Sequence, residues 1–454
     1  MLILREPQLT FWDSFLPAEL QGLREELAKV DTLLDDTQIL APYVERFHTT
    51  MGRPTVPIET YLRLMYLKFR YQLGYETLVE EVSDSIQWRR FCRIPLDKKV
   101  PHSTTLIKLT KRFGNELIEE LNQTLIEKAI EQKIIRGRKL RVDTTVVESD
   151  IHYPTDASLL VDGVKVITRT VKKLKEVADS IPAQFRDRTR SIKKQLFSIT
   201  KISRRRSGEA YQEVKQITGE IMATAAKVSR EAWQVVKAAK DTASSQVTTQ
   251  ADRLITSLKQ ALDVTEQIIS QTAEVLNGNQ QSSNRIVSIF DPEARPIRKG
   301  KLKASTEFGY KVLLQETEEQ VVTGYKVLEG NPSDDTLLQG AVNDHRKTFR
   351  RNPRNVATDR GLGSQKNEIA LQAMGIKRCS LPRRGKLSPS RKKYQSQPWF
   401  KQLQRWRAGQ EATISTLKRC YALRRSRFRG SRGTKTWVGF SIFTYNLRRL
   451  ALKI

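Results

Sequence analysis

Cysteine is scarce in this chain of 454 residues. Only Cys92, Cys379 and Cys420 are present, and no two of them have the C-x-x-C spacing of a thiolate metal site. The sequence therefore predicts neither a disulfide framework nor a cysteine zinc site, and it favours a reducing compartment. The four histidines are scattered singly, so we assign them no catalytic role.

Long apolar runs are also missing. No stretch of about 18 apolar residues predicts a membrane-spanning helix, and the first residues, MLILREPQLTFWDSF, lack the basic-then-apolar pattern of a secretory signal. We therefore expect a cytoplasmic protein without a membrane partner. The chain length suits two or three domains, and the 38% apolar content is enough to fill their cores.

Basic residues are in large excess. The chain has 80 Lys and Arg against 50 Asp and Glu, which gives a formal net charge of +30. A charge of this size predicts strong attraction to a polyanion. Because no membrane segment is predicted, nucleic acid is the expected partner.

Residues 1–135 are predicted to be helical. One amphipathic pattern places apolar side chains on a single face at Tyr61, Leu64, Met65 and Phe69. A second is expected to begin after an N-cap at Ser103 or Thr104 and to carry Leu106, Leu109, Phe113, Leu117 and Leu121. Short helices with Arg and Lys between them favour a helix-turn-helix type of DNA-binding domain, and a plain helical bundle explains the pattern equally well.

After Gly137 the period changes to the alternation of a strand, KLRVDTTVVES, with Asp143 in its middle. Residues 157–283 are predicted to form a long all-helical insertion, whose last helix ends at Asn277-Gly278. Two interpretations of this insertion remain open at this point. It is either a helical spacer with a solvated charged face or an arm that contacts DNA.

Strand patterns resume after the insertion. Strands are expected at 285–291, 307–319, 320–330, 355–359 and 376–382, with the second and third forming a hairpin. Helices are expected after Asn331-Pro332 and before Gly375. The order predicts an α/β core, residues 136–156 and 284–454, that is interrupted by an all-helical domain.

The acid-poor C-terminal region contains one clear candidate for metal chemistry. Phosphoryl transfer on DNA commonly uses two divalent cations, and Mg²⁺ prefers carboxylate oxygens. Between residues 360 and 454 there are 24 Lys and Arg but only two acids, Glu368 and Glu411. Glu411 shares a predicted helix face with Arg407 and Lys418. The alternative is an exposed Arg407–Glu411 ion pair with no catalytic task.

Two aspartates complete the candidate set. Asp143 lies in mid-strand, where an acid is disfavoured unless a cation or hydrogen bonds compensate it. Asp359 ends a strand before a glycine-containing turn, where turn aspartates are also ordinary. Each could be a capping or turn residue taken alone, but three acids in the order strand, strand, helix are less ordinary.

These segments resemble the DDE transposases of bacterial insertion sequences, which share an RNase H-like fold. RVDTTVVES resembles the first-aspartate strand, NVATDRGLGS the second, and RWRAGQEATISTLKRC the glutamate helix. The last segment carries the pattern R-x3-E-x6-K at Arg407, Glu411 and Lys418. The family often has a Tyr three residues before the Arg, where this chain has Gln404.

The helical insertion is the main departure from the family pattern. It makes the interval between the first two acids 216 residues, against 52 for the second interval. With this insertion the chain is most similar to the insertion sequences grouped as ISNCY. The helices of residues 1–135 resemble the DNA-binding domain that precedes the core in this family.

The resemblance implies that Asp143, Asp359 and Glu411 are catalytic and hold two Mg²⁺ ions, for which Mn²⁺ substitutes. It implies cleavage of double-stranded DNA at element ends and strand transfer into target DNA, by a homodimer or a larger assembly. The expected DNA-contacting side chains are Arg407, Lys418, Arg419, Arg424, Arg425 and Arg427. The segment RRSRFRGSRGTK could instead be a solvated basic loop, and Trp406 either stacks on a displaced base or packs in the core.

Two other functions remain open from the sequence. One is an RNase H-like nuclease that cuts without joining, which would use the same carboxylates. The other is a degenerate, non-catalytic DNA-binding protein, against which the complete set of acids argues.

Overall fold

The computed structural model describes residues 3–4, 15–44, 55–177, 182–242, 249–279, 284–298 and 306–453. The chain divides into two compact units. The first comprises residues 1–150 and 309–454, and the second residues 151–308. In the described part of the chain, no helix combines the length and the apolar character needed to cross a membrane.

The N-terminal part of the first unit is helical. Its helices are α1 (Ala18–Gln21), α2 (Glu25–Leu34), α3 (Thr37–Val44), α4 (Ile58–Arg70), α5 (Tyr75–Asp84), α6 (Ile86–Phe91) and α7 (Ser103–Glu131). The apolar face predicted for α4 is buried, but so are its charged residues Arg63 and Lys68. Arg63 is compensated by Asp31, whose carboxylate lies 2.7 Å from its guanidinium. α4 is therefore a central helix of this core.

Helix α7 differs from the prediction at two points. Its N-cap is His102, whose Nδ1 accepts a hydrogen bond from the backbone N–H of Thr104 at 3.2 Å. The predicted N-cap at Ser103 or Thr104 was wrong because an imidazole nitrogen takes the acceptor role that hydroxyls usually fill. α7 also breaks at Gly114, where φ is +71°, a value that glycine adopts readily.

Strand β1 (Lys139–Ser149) follows and matches the predicted strand with Asp143 in its middle. The second unit then contains α8 (Asp156–Val177), α9 (Thr189–Ile202), α10 (Gly208–Thr242), α11 (Thr249–Leu276) and β2 (Arg295–Arg298). α11 ends where predicted, and Gly278 has a φ of +96°. The helices share an apolar core.

The strand predicted at 285–291 was wrong. These residues have no strand conformation. The backbone N–H of Ile286 donates to Gln271 Oε1 at 2.9 Å, and its C=O accepts from Gln271 Nε2 at 3.1 Å. A side chain of α11 thus satisfies the backbone groups that a strand partner would have taken.

The chain returns to the first unit with β3 (Thr306–Thr317), β4 (Val322–Val327), α12 (Leu338–Phe349), β5 (Asn355–Thr358), α13 (Gln365–Ala373), β6 (Arg378–Ser380), α14 (Pro389–Ser396), α15 (Pro398–Cys420), β7 (Arg425–Ser426) and α16 (Gly430–Ala451). The predicted hairpin of the second and third strands is confirmed as β3–β4. The strands predicted at 355–359 and 376–382 are confirmed as β5 and β6.

The sheet of the first unit has the order β3-β1-β5-β6, with β4 paired to β3 and β7 to β1. β1 runs antiparallel to β3 and parallel to β5. Leu140 and Val142 of β1 join an apolar core with Leu338 and Val342 of α12. The alternate residues of β1, which include Arg141 and Asp143, contact α15 on the other side of the sheet. The first unit is therefore mixed α/β, with helices on both faces of its sheet.

Candidate active site

Strand register brings Asp143 and Asp359 together. Val142 of β1 is the parallel partner of Thr358 of β5, so the two aspartates occupy the next positions on neighbouring strands. Neighbouring strands lie about 4.8 Å apart. Asp359 Oδ1 accepts the backbone N–H groups of Gly361 at 2.9 Å and Leu362 at 3.1 Å, which fixes its carboxylate at the start of the turn.

Helix α15 brings Glu411 to the same place. Pro398 occupies its first turn, where the fixed φ of proline favours helix initiation. Gln404 then fastens the helix to the sheet, because its Nε2 donates to the carbonyl of Thr358 at 3.2 Å and to that of Ser380 at 2.9 Å. The residue that departs from the family pattern therefore anchors α15 beside Asp359.

A second anchor lies nearly two turns further along α15. Gln410 Nε2 donates to the carbonyl of Leu314 in β3 at 3.1 Å. Arg141 of β1 donates to the carbonyl of Trp406 at 2.5 Å, and its guanidinium lies 5.1 Å from the centre of the Trp406 ring. Trp406 is thus half-buried against β1, which agrees with the packing interpretation and leaves the stacking role untested.

Arg407 lies between two of the three acids. Its Nη2 is 2.8 Å from Glu411 Oε1, and its Nη1 is 3.4 Å from Asp143 Oδ2. The Arg407 side chain is 14% exposed, whereas that of Glu411 is 67% exposed. The Arg407–Glu411 ion pair, which was the alternative interpretation of Glu411, therefore forms. Because Arg407 also pairs with Asp143, this ion pair lies at the site itself.

The surroundings of Asp143 favour its protonated form. Burial raises the pKa of Asp143 to about 7, and the charges of Asp359 and Glu411 act in the same direction. The backbone N–H of Thr144 and the Arg407 guanidinium oppose this rise. Asp143 thus lies in a negative environment that an added cation would relieve.

All three acids line one cavity of about 790 Å³. Its rim also carries Arg360, Lys401 and Arg405. No role was predicted for these three cations from the sequence. The signal was present, since Arg360 follows Asp359 directly and Lys401 lies ten residues, about three helical turns, before Glu411.

A fourth carboxylate, Asp334, lies close to this cavity and was also missed. Its Oδ1 is 3.1 Å from Lys311 Nζ and 3.3 Å from Thr144 Oγ1. A Cβ placed on Gly361 would be 3.0 Å from Asp334 Oδ2 and 3.1 Å from Asp359 Oδ1, so both carboxylates border the same glycine. In the sequence, Asp334 is one of two adjacent acids before a helix and resembles a capping residue.

The donor set fits a divalent metal in its chemistry. Three carboxylates offer hard oxygen ligands in a cavity where negative charges already oppose one another. Within the described residues, no three His, Cys, Asp or Glu side chains are arranged to hold a metal ion. Arg407 instead supplies the positive charge beside Asp143 and Glu411.

The other residues predicted to contact DNA lie at the end of α15 and around β7. Lys418 is half-buried in the last turn of α15, and Arg419 beside it is exposed. Arg424, Arg425 and Arg427 are exposed as well, and Arg425 pairs with Glu148 of β1 at 2.9 Å. These basic side chains thus lie before, within and after β7, the short strand that pairs with the far end of β1.

Two family models match the chain. The family described as Transposase domain (DUF772) matches residues 15–112, and the Transposase DDE domain family matches residues 378–451. The second match includes α15 with Glu411, while Asp143 and Asp359 lie outside it. Both matches are to transposase families, and together they support a DDE transposase of an insertion sequence.

A curated relative extends the comparison. The chain is 30% identical over 137 residues to the uncharacterized protein ORF8 in the nfe locus of Rhizobium meliloti, a match that covers 28% of this chain and 64% of that protein. No solved structure matches the chain. The DDE domain implies an RNase H-like fold, in agreement with the mixed α/β first unit, and members of this family generally use divalent metal ions.

Proposed function

We propose that this transposase cleaves DNA at the ends of its insertion sequence and transfers the freed strand into target DNA. The observation that carries the proposal is the convergence of Asp143, Asp359 and Glu411 on one cavity from β1, the end of β5 and α15. Such a trio within a chain of net charge +30 suits chemistry on a polyanion.

Asp143, Asp359 and Glu411 are the proposed ligands of two Mg²⁺ ions, for which Mn²⁺ substitutes. Divalent cations at such a site activate the attacking oxygen and stabilise the leaving one. Asp359 is pre-positioned by the N–H groups of Gly361 and Leu362, and Glu411 by the anchors of α15. The chain itself thus supplies a fixed pair of aspartates and one exposed glutamate.

The basic residues have a separate task in this proposal. Arg360, Lys401 and Arg405 line the cavity and would hold phosphates beside the scissile bond. Lys418, Arg419, Arg424, Arg425 and Arg427 extend the basic surface beyond α15 and would contribute affinity that does not depend on sequence. Arg407 would contact phosphate only after exchanging its present carboxylate partners.

The remaining assignments are proposals of the same kind. Residues 1–135 would recognise DNA, residues 136–156 and 284–454 would form the RNase H-like core, and the 157–283 insertion would assist assembly. Two element ends must be held together, so we propose a homodimer or a larger assembly on DNA. The DNA substrate and three free cysteines suit a reducing cytoplasm.

Cleavage assays would test the proposal. The unaltered protein, incubated with Mg²⁺ or Mn²⁺ and DNA carrying the sequences that flank its gene, is expected to release a 3′-hydroxyl end and join it to a second duplex. Glu411→Gln should abolish both steps and retain DNA binding. Glu329→Gln, which changes an exposed glutamate outside the cavity, should remain active.

Each other outcome has a defined meaning. Equal cleavage by the unaltered protein and Glu411→Gln would remove Glu411 from the site. Cleavage without joining of a supplied 3′-hydroxyl end would favour a nuclease. Tight binding without cleavage by the unaltered protein, on its correct DNA ends, would favour a non-catalytic DNA-binding protein.

A further inference from the structure

A second cavity, of about 810 Å³, lies in the first unit between the helical N-terminal part and α16. Five cations line it: Lys68, Lys111, Arg427, Arg429 and Arg432. No acidic residue is among its lining residues, all of which are described. Its volume is within the range of pockets that enclose small organic ligands, and its charge selects an anion.

The deepest of these cations is Lys68 of α4, which is only 3% exposed. Its ammonium group donates to the carbonyl of Leu73 at 2.6 Å and lies 4.4 Å from the centre of the Tyr75 ring and 5.5 Å from that of Trp437. Burial and the charge of Arg427 lower the pKa of Lys68 to about 8. The buried ammonium group of Lys68 is therefore surrounded by carbonyl and aromatic groups, none of which carries a negative charge. A bound anion would supply that charge.

Aromatic rings form the remaining wall. Tyr75 and Phe428 lie with their planes 6° apart and their centres separated by 6.2 Å, and Phe428 packs edge-on against Trp437 at 4.9 Å. Tyr75 and Phe428 are each partly exposed. Flat rings of this kind offer a surface on which a nucleobase stacks regardless of its identity.

Helix α16 adds a fixed positive potential at the same place. Arg432 and Gly433 in its first turn line the cavity, and Arg429 at its N-cap makes no side-chain capping bond. Backbone N–H groups at a helix N-terminus favour a phosphate. Gly114 of α7, at a φ of +71°, borders Arg432 and its ion-pair partner Glu116, whose Nη2 and Oε2 atoms would lie 2.6 and 2.7 Å from an added Cβ. The break in α7 thus makes room for a cavity arginine.

Strand pairing places this cavity at a short distance from the acids. β7 pairs with Glu148 and Ser149 of β1, and the cavity residues begin directly after β7 at Arg427. Asp143 lies five residues before Glu148 in the same strand, a span of about 17 Å at roughly 3.3 Å per residue. DNA rises about 3.4 Å per nucleotide, so this span of β1 equals the length of about five nucleotides.

We propose that this cavity binds one unpaired nucleotide of the DNA, with its base on the Tyr75 and Phe428 rings and its phosphate among Lys68, Lys111 and Arg432. The proposal rests on the proposed function for the identity of the polyanion. It goes beyond that function because it assigns a separate site to a base that has left the duplex. The backbone of an intact duplex would contact the cations of the cavity but would not need its aromatic rings.

Binding to short labelled DNA duplexes tests the proposal without metal ions. The probes are a blunt duplex, the same duplex with a 5′ overhang of four thymidines, and the same duplex with a 3′ overhang. The unaltered full-length protein is expected to bind one overhang duplex about tenfold more tightly than the blunt duplex, a gain typical of stacking one base. The preferred overhang identifies which strand end enters the cavity. Equal affinity for all three probes would overturn the proposal.

Two variants with matched controls locate the effect. Phe428→Leu keeps apolar bulk but removes a stacking face, so the preference for the overhang should disappear while binding to the blunt duplex is retained. Phe197→Leu, at an exposed phenylalanine of the second unit, should keep the preference. Lys111→Gln should lower the salt slope of overhang binding by about one, whereas Lys108→Gln, one turn away on α7 and outside the cavity, should leave the overhang-to-blunt ratio unchanged.

A fluorescent base in the overhang provides a second measurement. 2-Aminopurine placed there should lose emission when the unaltered protein binds and should keep it with Phe428→Leu at saturating protein. Quenching that survives Phe428→Leu would contradict the stacking assignment. Since these assays contain no metal and score no cleavage, a failure of the cavity proposal and a failure of the proposed catalytic function give separate results.

Discussion

The guanidinium of Arg141 lies 2.5 Å from the carboxylate of Glu316, its direct cross-strand neighbour in the β1–β3 pair. Both residues are almost fully buried, with exposures of 2% and 1%. Arg141 also donates to the carbonyl of Trp406, and Thr413 donates to Glu316 at 2.9 Å. The buried Arg141–Glu316 ion pair thus binds α15 at Trp406 and at Thr413. Arg141 lies two residues before Asp143 in β1, and Glu411 lies between the two bound residues of α15.

Removing one member of this pair should be costly. Arg141→Met leaves the Glu316 carboxylate buried without its cation, and we expect the free energy of unfolding to fall by about 3 to 5 kcal/mol. Urea unfolding followed by tryptophan fluorescence would measure the change. Cleavage should fall too, because α15 loses its bond to β1.

The double variant Arg141→Met, Glu316→Met separates stability from positioning. Apolar replacements of a buried ion pair are often neutral or stabilising, so most of the lost stability should return. Cleavage should stay low, because neither methionine bonds to Trp406 or Thr413. A double variant as active as the unaltered protein would show that the pair does not position α15.

Gly409 allows α15 to approach this pair. A Cβ at Gly409 would lie 2.8 Å from Arg141 Nη1, closer than a carbon normally approaches nitrogen. We expect Gly409→Ala to lower the midpoint of thermal unfolding and the cleavage rate. Gly340→Ala on α12 is the matched control, since nothing lies within 4 Å of its added Cβ. It should stabilise by about 0.5 to 1 kcal/mol, as alanine does in a helix.

The three acids were predictable because each carries a local signal. Asp143 interrupts a β-branched strand, Asp359 ends a short strand, and Glu411 is one of two acids in a basic region. Their convergence depends on strand register, which brings together residues more than 200 positions apart. The sequence around each acid does not indicate this register. Only the family resemblance links the three acids in the sequence.

Contacts over long sequence separations explain what was missed. Arg141 and Glu316 are 175 residues apart, so their pairing could not be predicted from the sequence around either residue. The same cause underlies the wrong strand at 285–291, where Ile-rich alternation suits a strand but Gln271 of α11 binds the backbone instead. The N-cap of α7 was missed for a different reason, since histidine is an uncommon acceptor at that position.

His345 should make the stability of the first unit depend on pH. It is 1% exposed, and its Nε2–H donates to the carbonyl of Gly137 at 3.0 Å. Burial lowers the pKa of His345 to about 4, below its ordinary value of about 6.5. Above pH 6.5 the imidazole is neutral in both states, and its stabilising contribution is complete. As the pH falls from 6.5 towards 4, the unfolded chain binds a proton that the folded chain does not, so stability is lost.

Urea unfolding between pH 7 and pH 4.5 would measure this loss, which can reach about 3 kcal/mol. His345→Gln retains a donor for the Gly137 carbonyl and should flatten the pH profile. His152→Gln, at a histidine whose side chain is 54% exposed, should leave the profile unchanged. A profile for His345→Gln as steep as that of the unaltered protein would assign the loss to other groups.

Arg407 should compete with the metal that we propose for the three acids. Its guanidinium neutralises Asp143 and Glu411 at 3.4 and 2.8 Å, so its removal leaves more negative charge for a dication. Arg407→Gln should therefore bind Mn²⁺ several-fold more tightly, as measured by electron paramagnetic resonance of free Mn²⁺ during titration. Arg405→Gln also removes a charge from the cavity lining and should have a smaller effect, because Arg405 is exposed. Weaker Mn²⁺ binding by Arg407→Gln would instead mean that Arg407 holds the carboxylates in their binding geometry.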